Sequence, residues 1–264
     1  MADPGFVDIH CHLLPGIDDG AADIDETMSM ARMAVDDGIR AIVCTPHQSG
    51  NYACNSGDGI REAVSRLQRL LEQEGIPLRV LPGADVRIES DMLAGLQRGE
   101  ILSLADRRRH VLLELPHELY MPLQPVLNGL NRVGMVGVLS HPERNQGILN
   151  RPRLLLPLVE AGCLMQVTAG SLVGTFGAKI QKFSQWMIEE GLVHFLATDA
   201  HSSKSRRPLL GRAFRRAEEL VGTESATEMC CTNPARVAAG QNVEPGLRRI
   251  VKRRLKTWFN RRAG

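Results

Sequence analysis

Short apolar runs alternate with amphipathic segments of helical period along nearly the whole of this 264-residue chain. Seven of the runs have the length and composition of buried strands: Phe6–His10, Arg40–Cys44, Leu78–Leu81, His110–Leu115, Val136–Ser140, Cys163–Val167 and Val193–Ala197. A repeated alternation of strand and helix is typical of a parallel sheet, because parallel strands need a crossover connection between them. The alternation therefore predicts a fold of the α/β class.

Five amphipathic segments between these runs repeat apolar residues at helical spacing, and each ends close to a glycine of the kind that caps helices. The predicted helices are Asp25–Asp37, Ile60–Gln73, Gln124–Val133, Arg153–Ala161 and Lys179–Glu190. Most of the apolar runs are continuous, which suits strands that are covered by helices in a parallel sheet. Aromatic residues make up only 4% of the chain, so aliphatic side chains must fill the core.

Seven strand units with no obvious linker favour a single domain that is a closed or nearly closed barrel, and a doubly wound open sheet is the alternative. Polar residues gather at the carboxyl ends of the predicted strands, where both folds place their active sites. Side chains from six strand ends converge easily only around a ring, because an open sheet spreads them over roughly 25–30 Å at ~4.8 Å per strand. We therefore expect the barrel.

Two histidines, His10 and His12, follow the first apolar run with one residue between them. Side chains two residues apart on an extended segment point the same way, so the pair can hold one metal ion from one side. Further histidines and carboxylates follow or end the other runs: Asp18, Asp19, His47, Asp85, Glu114, His141, Asp199 and His201. The set is too large for one tetrahedral ion and suits two or three ions bridged by a carboxylate. Nitrogen and oxygen ligands without cysteine suit manganese, iron or zinc.

Some of these positions, taken singly, also have ordinary structural explanations. Asp18 and Asp19 could belong to a turn that leads into the first helix, and either could be a cap. His47 could be a loop histidine, and Asp85 could be a turn residue. Glu114 is different, because a carboxylate inside a buried strand is costly unless it is paired or bound to a metal.

The polar motifs together resemble those of the PHP (polymerase and histidinol phosphatase) superfamily. Within it they resemble the CpsB/CapC-type bacterial protein-tyrosine phosphatases of capsule and exopolysaccharide clusters. The matching segments are Val7–His12, Pro15–Ala21, Thr45–His47, Ser140–Arg144, Thr198–His201 and Asn233–Pro234. The string D-I-H-x-H followed by P-G-I-D-D-G-A is the most specific part, and the likeness runs from about residue 7 to residue 240.

The resemblance implies a distorted (β/α)7 barrel over residues 1–244 that holds two to three divalent metal ions, with manganese favoured over iron or zinc. By match of motif, the ligands are His10, His12, Asp85 and Asp199 for the first ion, Asp85, Glu114 and His141 for the second, and Asp18, His47 and His201 for the third. Asp85 departs from the family pattern, since glutamate is more frequent at this position and is one methylene longer. The resemblance implies that Asp85 bridges two ions.

Two arginines are implied to bind the substrate phosphate. The first is Arg144, which follows the histidine of the fifth predicted strand by three residues. The second is Arg206 when it is counted from Asp199, or Arg207 when it is chosen by its place before a proline. Charge-assisted hydrogen bonds from both guanidinium groups would neutralise phosphate oxygens as charge develops.

The implied reaction is hydrolysis of phosphotyrosine in proteins by attack of a metal-bound hydroxide. The expected substrate is a membrane-associated tyrosine kinase of polysaccharide assembly. Tyrosinate, whose parent pKa is near ~10, needs less protonation on leaving than an alkoxide does. Glu143 and His117 are the two candidates for a general acid.

Three other functions compete with this one. The first is a related phosphoesterase that acts on a small phosphomonoester such as histidinol phosphate. The second is a metal hydrolase of the amidohydrolase kind, but that class has a histidine after the sixth strand, and the run Leu164–Thr168 carries none. The third is a degenerate barrel that serves as a scaffold, which is disfavoured because no expected ligand position holds an apolar residue.

The C-terminal segment 245–264 carries eight Lys or Arg residues and no acidic residue, and its apolar residues fall on one helical face. Two interpretations stay open: a basic amphipathic helix on an anionic membrane surface or an acidic partner, and a helix packed on the barrel. The segment is too short and too poor in aromatic residues to indicate nucleic-acid binding. The chain shows no signal-peptide pattern and no apolar run of spanning length, and its six cysteines lack disulfide spacing. We expect a cytoplasmic protein, at the inner face of the membrane if the segment binds lipid.

Overall fold

The computed structural model describes residues 5–247 of the chain. The strands in this range are β1 (Phe6–Cys11), β2 (Ile39–Cys44), β3 (His47–Gln48), β4 (Arg79–Pro82), β5 (Asp85–Arg87), β6 (His110–Glu114), β7 (Val136–Ser140), β8 (Leu164–Thr168) and β9 (Phe195–Ala197). All seven predicted strands are present, and their observed ends differ from the predicted ones by two residues or fewer. The two short strands β3 and β5 are additions to the prediction.

The helices surround the strands. They are α1 (Ile24–Asp36), α2 (Gly57–Gln73), α3 (Met92–Arg98), α4 (Gln124–Arg132), α5 (Gln146–Asn150), α6 (Leu155–Glu160), α7 (Ala169–Leu172), α8 (Ala178–Glu189), α9 (Gly211–Val221), α10 (Thr223–Thr227) and α11 (Asn233–Ala238). Three 3₁₀ turns (Leu104–Asp106, Pro142–Arg144 and Pro152–Leu154) and a short π-helix (Glu228–Thr232) complete the described elements. None of the helices within residues 5–247 is long and apolar enough to cross a membrane.

All pairings between these strands are parallel, and they form two sheets with the orders β1-β2-β4 and β3-β5-β6-β7-β8-β9. The sheets are continuous through the chain, because β2 leads into β3 across two residues and β4 leads into β5 across two residues. The ring closes where Cys11 forms a parallel bridge with Ala200, and the His12 amide donates to the Ala200 carbonyl at 2.9 Å. The prediction of a seven-unit α/β barrel is confirmed.

Two groups of buried apolar residues lie on opposite faces of the ring. The smaller group takes residues from all seven strand units, which places it inside the barrel: Val7, Ile9, Val43, Leu81, Leu112, Val138, Leu164, Phe195 and Ala197. The larger group packs between the outer face of the strands and the helices. The interior is therefore a packed core, and the polar side chains lie beyond it, at the carboxyl ends of the strands.

Helix α9 was missed by the sequence analysis, and its first residues explain why. The carboxylate of Asp37, at the end of α1, accepts the backbone amides of Leu210 at 2.6 Å and Gly211 at 2.7 Å. A remote carboxylate thus takes the place of the local N-cap residue that would mark this helix in the sequence. Helices α3, α5, α7 and α10 are also unpredicted and have seven residues or fewer, too few to show a helical period clearly.

His110 lies at the start of β6, on the same strand face as the inner-core residue Leu112. It is 1% exposed, and neither ring nitrogen has a hydrogen-bond partner among the described residues. Burial, with a contribution from Arg109, lowers the pKa of His110 from 6.5 to about 4. The folded protein therefore holds this imidazole neutral at a cost in desolvation.

Replacement of His110 by leucine should raise stability, and more so in acid. Between pH 6.5 and pH 4 the unfolded chain binds a proton that the folded protein refuses, so His110 lowers stability as the pH falls, by up to about 3 kcal/mol. Leucine removes both this pH-dependent loss of stability and the buried ring nitrogens that lack a partner. Urea denaturation of both proteins from pH 7.5 to pH 4.5 tests this, and parallel stability curves would contradict it.

Candidate metal centre

The first strand contains a β-bulge immediately before the His-x-His pair. Asp8 pairs with Ile42 and Cys11 pairs with Cys44, so four residues of β1 lie opposite three of β2. The extra residue turns the backbone so that Ile9 and His10 both lie opposite Val43, whose side chain faces the interior. A strict alternation of side chains, as expected from the sequence, would have left Asp8 and His10 on one face.

Asp8 stabilises this bulge from the other face. Its Oδ1 accepts the backbone amides of His10 at 3.2 Å and Thr198 at 3.0 Å, and its Oδ2 accepts the Thr198 hydroxyl. Burial raises the pKa of Asp8 to about 6, against the lowering effect of these hydrogen bonds. Asp8 is fully buried and ties β1 to the segment after β9, which carries Asp199.

His10 and His12 converge, as their spacing predicts, with their Nε2 atoms 3.3 Å apart. The outer ring nitrogen of each is held by a neighbouring oxygen. His10 Nδ1 donates to Gln166 Oε1 at 2.9 Å, and His12 Nδ1 donates to Asp18 Oδ2 at 2.7 Å. Such partners fix the tautomer and leave Nε2 available to a metal ion. Gln166 occupies strand β8, where the amidohydrolase alternative required a histidine at the strand end.

The interruptions between β2 and β3 and between β4 and β5 bring His47 and Asp85 side by side. Pro46 and Gly83 lie in the two interruptions, and the Asp85 amide donates to the Pro46 carbonyl at 3.1 Å. Strands β3 and β5 pair so that His47 lies directly opposite Asp85. These two residues are next to the His10 and His12 pair of β1 around the ring. A side chain at Gly83 would collide with Val43, since an added Cβ lies 2.6 Å from Val43 Cγ1.

Asp85 is completely buried, and neither carboxylate oxygen accepts a hydrogen bond from any residue that the structure describes. Its Oδ2 lies 3.4 Å from His10 Nε2 and 3.7 Å from His47 Nδ1. Burial alone would raise the pKa of Asp85, but the charge of His10, with His47 and His141, keeps it below its ordinary value. A buried carboxylate that accepts no hydrogen bond and lies among imidazoles and a second carboxylate, Glu114, fits a site built for cations.

Glu114 supports the same conclusion. Its Oε2 lies 3.5 Å from His47 Nδ1, and its Oε1 lies 3.7 Å from His141 Nε2. Burial, with the nearby charge of Asp85, raises the pKa of Glu114 to about 7. Two carboxylates that resist simultaneous ionisation would both ionise around divalent cations.

The potential ligand atoms form four overlapping groups, in each of which the atoms lie within 4.8 Å of one another. The groups are His12, Asp19, His47 and His201; His10, His12 and Asp85; His10, His141 and Asp199; and His47, Asp85 and Glu114. They contain every residue expected as a ligand from the sequence except Asp18, and they add Asp19. Because the groups share members, the donors suit several ions that lie close together.

The structure does not favour the choice of Asp18 as a ligand. Both of its oxygens are engaged, because Oδ1 accepts the Gly20 amide at 3.0 Å and Oδ2 accepts His12 Nδ1 and the His47 amide. Asp19 faces the cluster instead, with Oδ1 at 3.4 Å from His47 Nε2 and 3.5 Å from His201 Nε2. Asp18 therefore orients the histidines, and Asp19 has the position of a ligand.

The tight turn after these aspartates has a steric reason for its glycine. An added Cβ at Gly20 would lie 2.3 Å from the His12 carbonyl oxygen and 2.5 Å from His12 Cβ. The Ala21 amide donates to that same carbonyl at 3.1 Å, which closes the turn against the histidine pair. A side chain at this position would push the aspartates away from His12.

Two arginines lie at the edge of the cluster, and both contact it by hydrogen bonds to Asp199. Arg144 Nη1 donates to Asp199 Oδ2 at 2.6 Å, and Arg206 Nη2 donates to the same oxygen. The other oxygen of Asp199 lies 3.3 Å from His10 Nε2. Of the two arginines left open by the sequence, Arg206 is the one at the cluster, and Arg207 lines a neighbouring cavity.

The sequence profile of the family described as "Capsular polysaccharide synthesis, CpsB/CapC" matches residues 6–239. The chain belongs to the CpsB/CapC family. It is 40% identical to the tyrosine-protein phosphatase YwqE of Bacillus subtilis over 83% of this chain and 86% of YwqE. It is 33% identical to the putative tyrosine-protein phosphatase CapC of Staphylococcus aureus over 79% of this chain and 82% of CapC.

A solved structure gives the same assignment. It comes from crystal structures of YwqE from Bacillus subtilis and CpsB from Streptococcus pneumoniae, which are described as unique metal-dependent tyrosine phosphatases. The superposition has a TM-score of 0.87 at 38% identity and covers 94% of this chain and 100% of the solved chain. A dihydroorotase of Campylobacter jejuni, at 10% identity and a TM-score of 0.51, covers 91% of this chain and 84% of its own and shares the fold alone.

Two further positions frame the cluster of this CpsB/CapC-family chain. His141, directly after β7, and Asp199, two residues after β9, both have left-handed backbone, with φ of 30° and 51°. Such strain in residues other than glycine collects at functional sites. Tyr52 stacks on His47 with ring centroids 5.3 Å apart. Tyr52 and Gln166 were not predicted, because the spacing gave no signal for Tyr52 and Gln166 is a polar residue inside an apolar run.

The two general-acid candidates have different surroundings. Glu143 is completely buried, and its Oε1 accepts the Thr168 amide at 3.0 Å, so it ties the turn after β7 to the end of β8. His117 is exposed and stacks on His141, with ring centroids 5.4 Å apart. Partial burial and the charge of Arg144 lower the pKa of His117 below its ordinary value. Only His117 therefore lies at the cluster.

Proposed function

We propose that this protein hydrolyses phosphotyrosine in proteins with the help of two or three bound divalent metal ions. One observation carries the proposal: the guanidinium groups of Arg144 and Arg206 meet a cluster of five histidines and four carboxylates at the single side chain of Asp199. Cation sites and anion-binding side chains are thus adjacent, as the hydrolysis of a phosphate ester requires. Membership of the CpsB/CapC family supports it, since the relatives are tyrosine phosphatases.

The proposed ligand sets for the first two ions are those implied by the family resemblance, and the groups described above divide the same atoms differently. His10, His12, Asp85 and Asp199 would hold the first ion, and Asp85, Glu114 and His141 would hold the second, with Asp85 shared between them. Asp199 Oδ1 lies 3.3 Å from His10 Nε2, and Glu114 Oε1 lies 3.7 Å from His141 Nε2. Asp19, His47 and His201 would hold the third, so Asp19 replaces Asp18 in the set expected from the sequence. Burial and the proximity of His201 lower the pKa of His12 to about 4, which keeps it in the neutral form that binds metals.

Divalent ions bound here would supply a water acidified toward neutral pH and positive charge for phosphate oxygens. The chain itself contributes the rest. Arg144 and Arg206 exchange their shared partner Asp199 for oxygens of the phosphate and orient the ester. Arg144 is held from behind by the ring of Phe176, at 4.5 Å from the ring centroid.

The nature of the leaving group fits these surroundings. A tyrosinate, with a parent pKa near ~10, departs with less protonation than an alkoxide. Glu143, one of the two general-acid candidates from the sequence, accepts the Thr168 amide and does not face the cluster. Aryl phosphates are therefore better substrates for this site than alkyl phosphates such as histidinol phosphate.

A direct comparison of substrates tests the proposal. The full-length protein, loaded with Mn²⁺, should release phosphate from a phosphotyrosine peptide at least tenfold faster than from histidinol phosphate, and excess chelator should abolish both reactions. Activity that persists in chelator would sink the metal mechanism. A preference for histidinol phosphate would replace the proposed substrate with a small phosphomonoester.

Finer features of this function are also proposals. Manganese is the proposed metal, with iron or zinc as the alternatives, because nitrogen and oxygen ligands without cysteine suit all three. The proposed substrate is a membrane-associated tyrosine kinase of polysaccharide assembly, and the proposed location is cytoplasmic. The basic helix expected over residues 245–264 lies almost wholly outside the described residues, so its contact with an anionic membrane stays a prediction.

A further inference from the structure

A small cavity of about 70 Å³ adjoins the proposed metal centre on the side of Arg206. Arg206 belongs to both, since it lines the cavity and donates to Asp199. Phe176 lines the cavity too, and the Arg144 guanidinium lies over its ring. A group bound in the cavity would therefore be a neighbour of a phosphate held between Arg144 and Arg206.

The cavity has the lining of a binding site for an anion. Arg207 and Arg212 join Arg206 around it. Thr168, at the end of β8, is 1% exposed and lines the cavity, and its hydroxyl has no hydrogen-bond partner within residues 5–247. A buried hydroxyl without a partner costs stability, so this atom is suited to a ligand. By the measure of about 10–15 Å³ for each water molecule, the space admits the end of one polar side chain.

The positive surface continues along α9. Arg212 also lines a second depression of about 270 Å³, together with Arg215, Arg216 and Glu219. Arg212, Arg215 and Arg216 share a helix face because they are three and four residues apart. The residues that line the two depressions include five arginines and a single carboxylate, in a chain whose net charge is only +2.

Most of these cations lack a partner. Glu219 pairs with Arg216 at 2.7 Å. The guanidinium groups of Arg207, Arg212 and Arg215, here called the arginine strip, form no ion pair or hydrogen bond with any residue in the described part of the chain. Unpaired charges of one sign beside a catalytic centre attract a ligand of the opposite sign.

We propose that the cavity and the arginine strip bind acidic side chains that lie next to the phosphotyrosine in the substrate polypeptide. The inference rests on the proposed function and adds to it a preference for sequence. An extended peptide advances about 3.3 Å per residue. Acidic residues within a few positions of the phosphotyrosine therefore reach Arg207 and Arg212 first and Arg215 next.

Three phosphotyrosine peptides of equal length test this, with glutamate, glutamine or lysine flanking the phosphotyrosine, and p-nitrophenyl phosphate is the substrate without flanks. The parent protein should have the highest kcat/KM with the acidic peptide, and this advantage should shrink as salt is added. Arg212→Gln and Arg215→Gln should each reduce kcat/KM for the acidic peptide by about 2- to 5-fold, mainly through KM. Turnover of p-nitrophenyl phosphate should stay unchanged.

Arg132→Gln is the matched control, because Arg132 is an exposed arginine at the end of α4. It should leave the order of the three peptides as it is in the parent protein. Equal losses for the acidic and glutamine peptides in the Arg212→Gln, Arg215→Gln double variant would overturn the proposal. Failure of the proposed function would look different: the parent protein would leave all three peptides intact while it hydrolysed another phosphate ester, and that result would overturn both.

Discussion

Asparagine in place of Asp85 should reduce kcat for a phosphotyrosine peptide on the order of 10²–10³-fold, because a lost metal contact removes several kcal/mol of transition-state stabilisation. Asp85 belongs to two of the four ligand groups, so one change weakens two proposed ions. Its carboxylate lies 3.4 Å from His10 Nε2 and 3.7 Å from His47 Nδ1. A neutral amide cannot supply the shared negative charge, and elemental analysis should find less metal in each chain.

The same substitution should not damage the fold. The Asp85 carboxylate accepts no hydrogen bond within the described chain, and its charge opposes the ionisation of Glu114. Without metal, the imidazoles of His10, His47 and His141 stabilise the charge of Asp85, so the neutral amide should lower the melting temperature in chelator only slightly. Asp58→Asn, at an exposed residue of α2, is the control for the change of charge. Full activity and full metal content in Asp85→Asn would contradict the assignment.

Glutamate at this position is the second arm of the experiment. Glutamate keeps the negative charge, and its extra methylene moves the carboxylate oxygens outward. Asp85→Glu should therefore keep most of the metal and most of the activity. A glutamate variant as inactive as the asparagine variant would show that this barrel is shaped around the shorter side chain.

Most of the fold was predictable because strands that are buried on both faces are continuous apolar runs. The runs Val136–Ser140 and His110–Leu115 could be located almost to the residue, and they match β7 and β6. The local sequence pattern could not show features that depend on residues far apart in the chain. Helix α9 is capped by Asp37, which lies more than 170 positions earlier in the chain. The β1 bulge depends on Thr198, which binds Asp8 across the closure of the ring.

The candidate metal centre was likewise predictable only in part. Residues at strand ends, such as His10, His141 and Asp199, could be found because parallel strands end on the same side of a barrel. Asp18 was chosen over Asp19 from the family resemblance, because both lie in one turn and only their hydrogen bonds, which the sequence does not show, separate them. Asp18 accepts hydrogen bonds from Gly20 and His12, whereas Asp19 faces His47 and His201 and is the aspartate proposed as a ligand.

Asparagine at Asp19 and asparagine at Asp18 should therefore have different consequences. Asp19 contacts the imidazoles of His47 and His201, and its side chain is 53% exposed. Asp19→Asn removes a charged ligand of the third proposed ion, so metal content should fall by about one ion in each chain and kcat on the order of 10²-fold. Stability in chelator should be close to that of the parent protein.

Asp18→Asn acts on the histidines instead of the ion. An amide has one acceptor oxygen, whereas the Asp18 carboxylate accepts from the Gly20 amide, the His12 ring and the His47 amide. At least one of these donors would lose its partner, which costs about 1–3 kcal/mol of stability with or without metal. Metal affinity should weaken by about 10- to 100-fold, the usual effect of losing a group that orients a ligand.

A titration with Mn²⁺ separates the two roles. Raising the metal concentration should restore most of the activity of Asp18→Asn, because its ligands are all present but poorly held. It should not restore Asp19→Asn, in which a ligand is missing. The melting temperature in chelator gives an independent measure, since it should fall for Asp18→Asn alone. The reverse pattern, rescue of Asp19→Asn and permanent loss in Asp18→Asn, would return the ligand role to Asp18, and the His12 ring would then have to turn away from the Asp18 oxygen that now holds it.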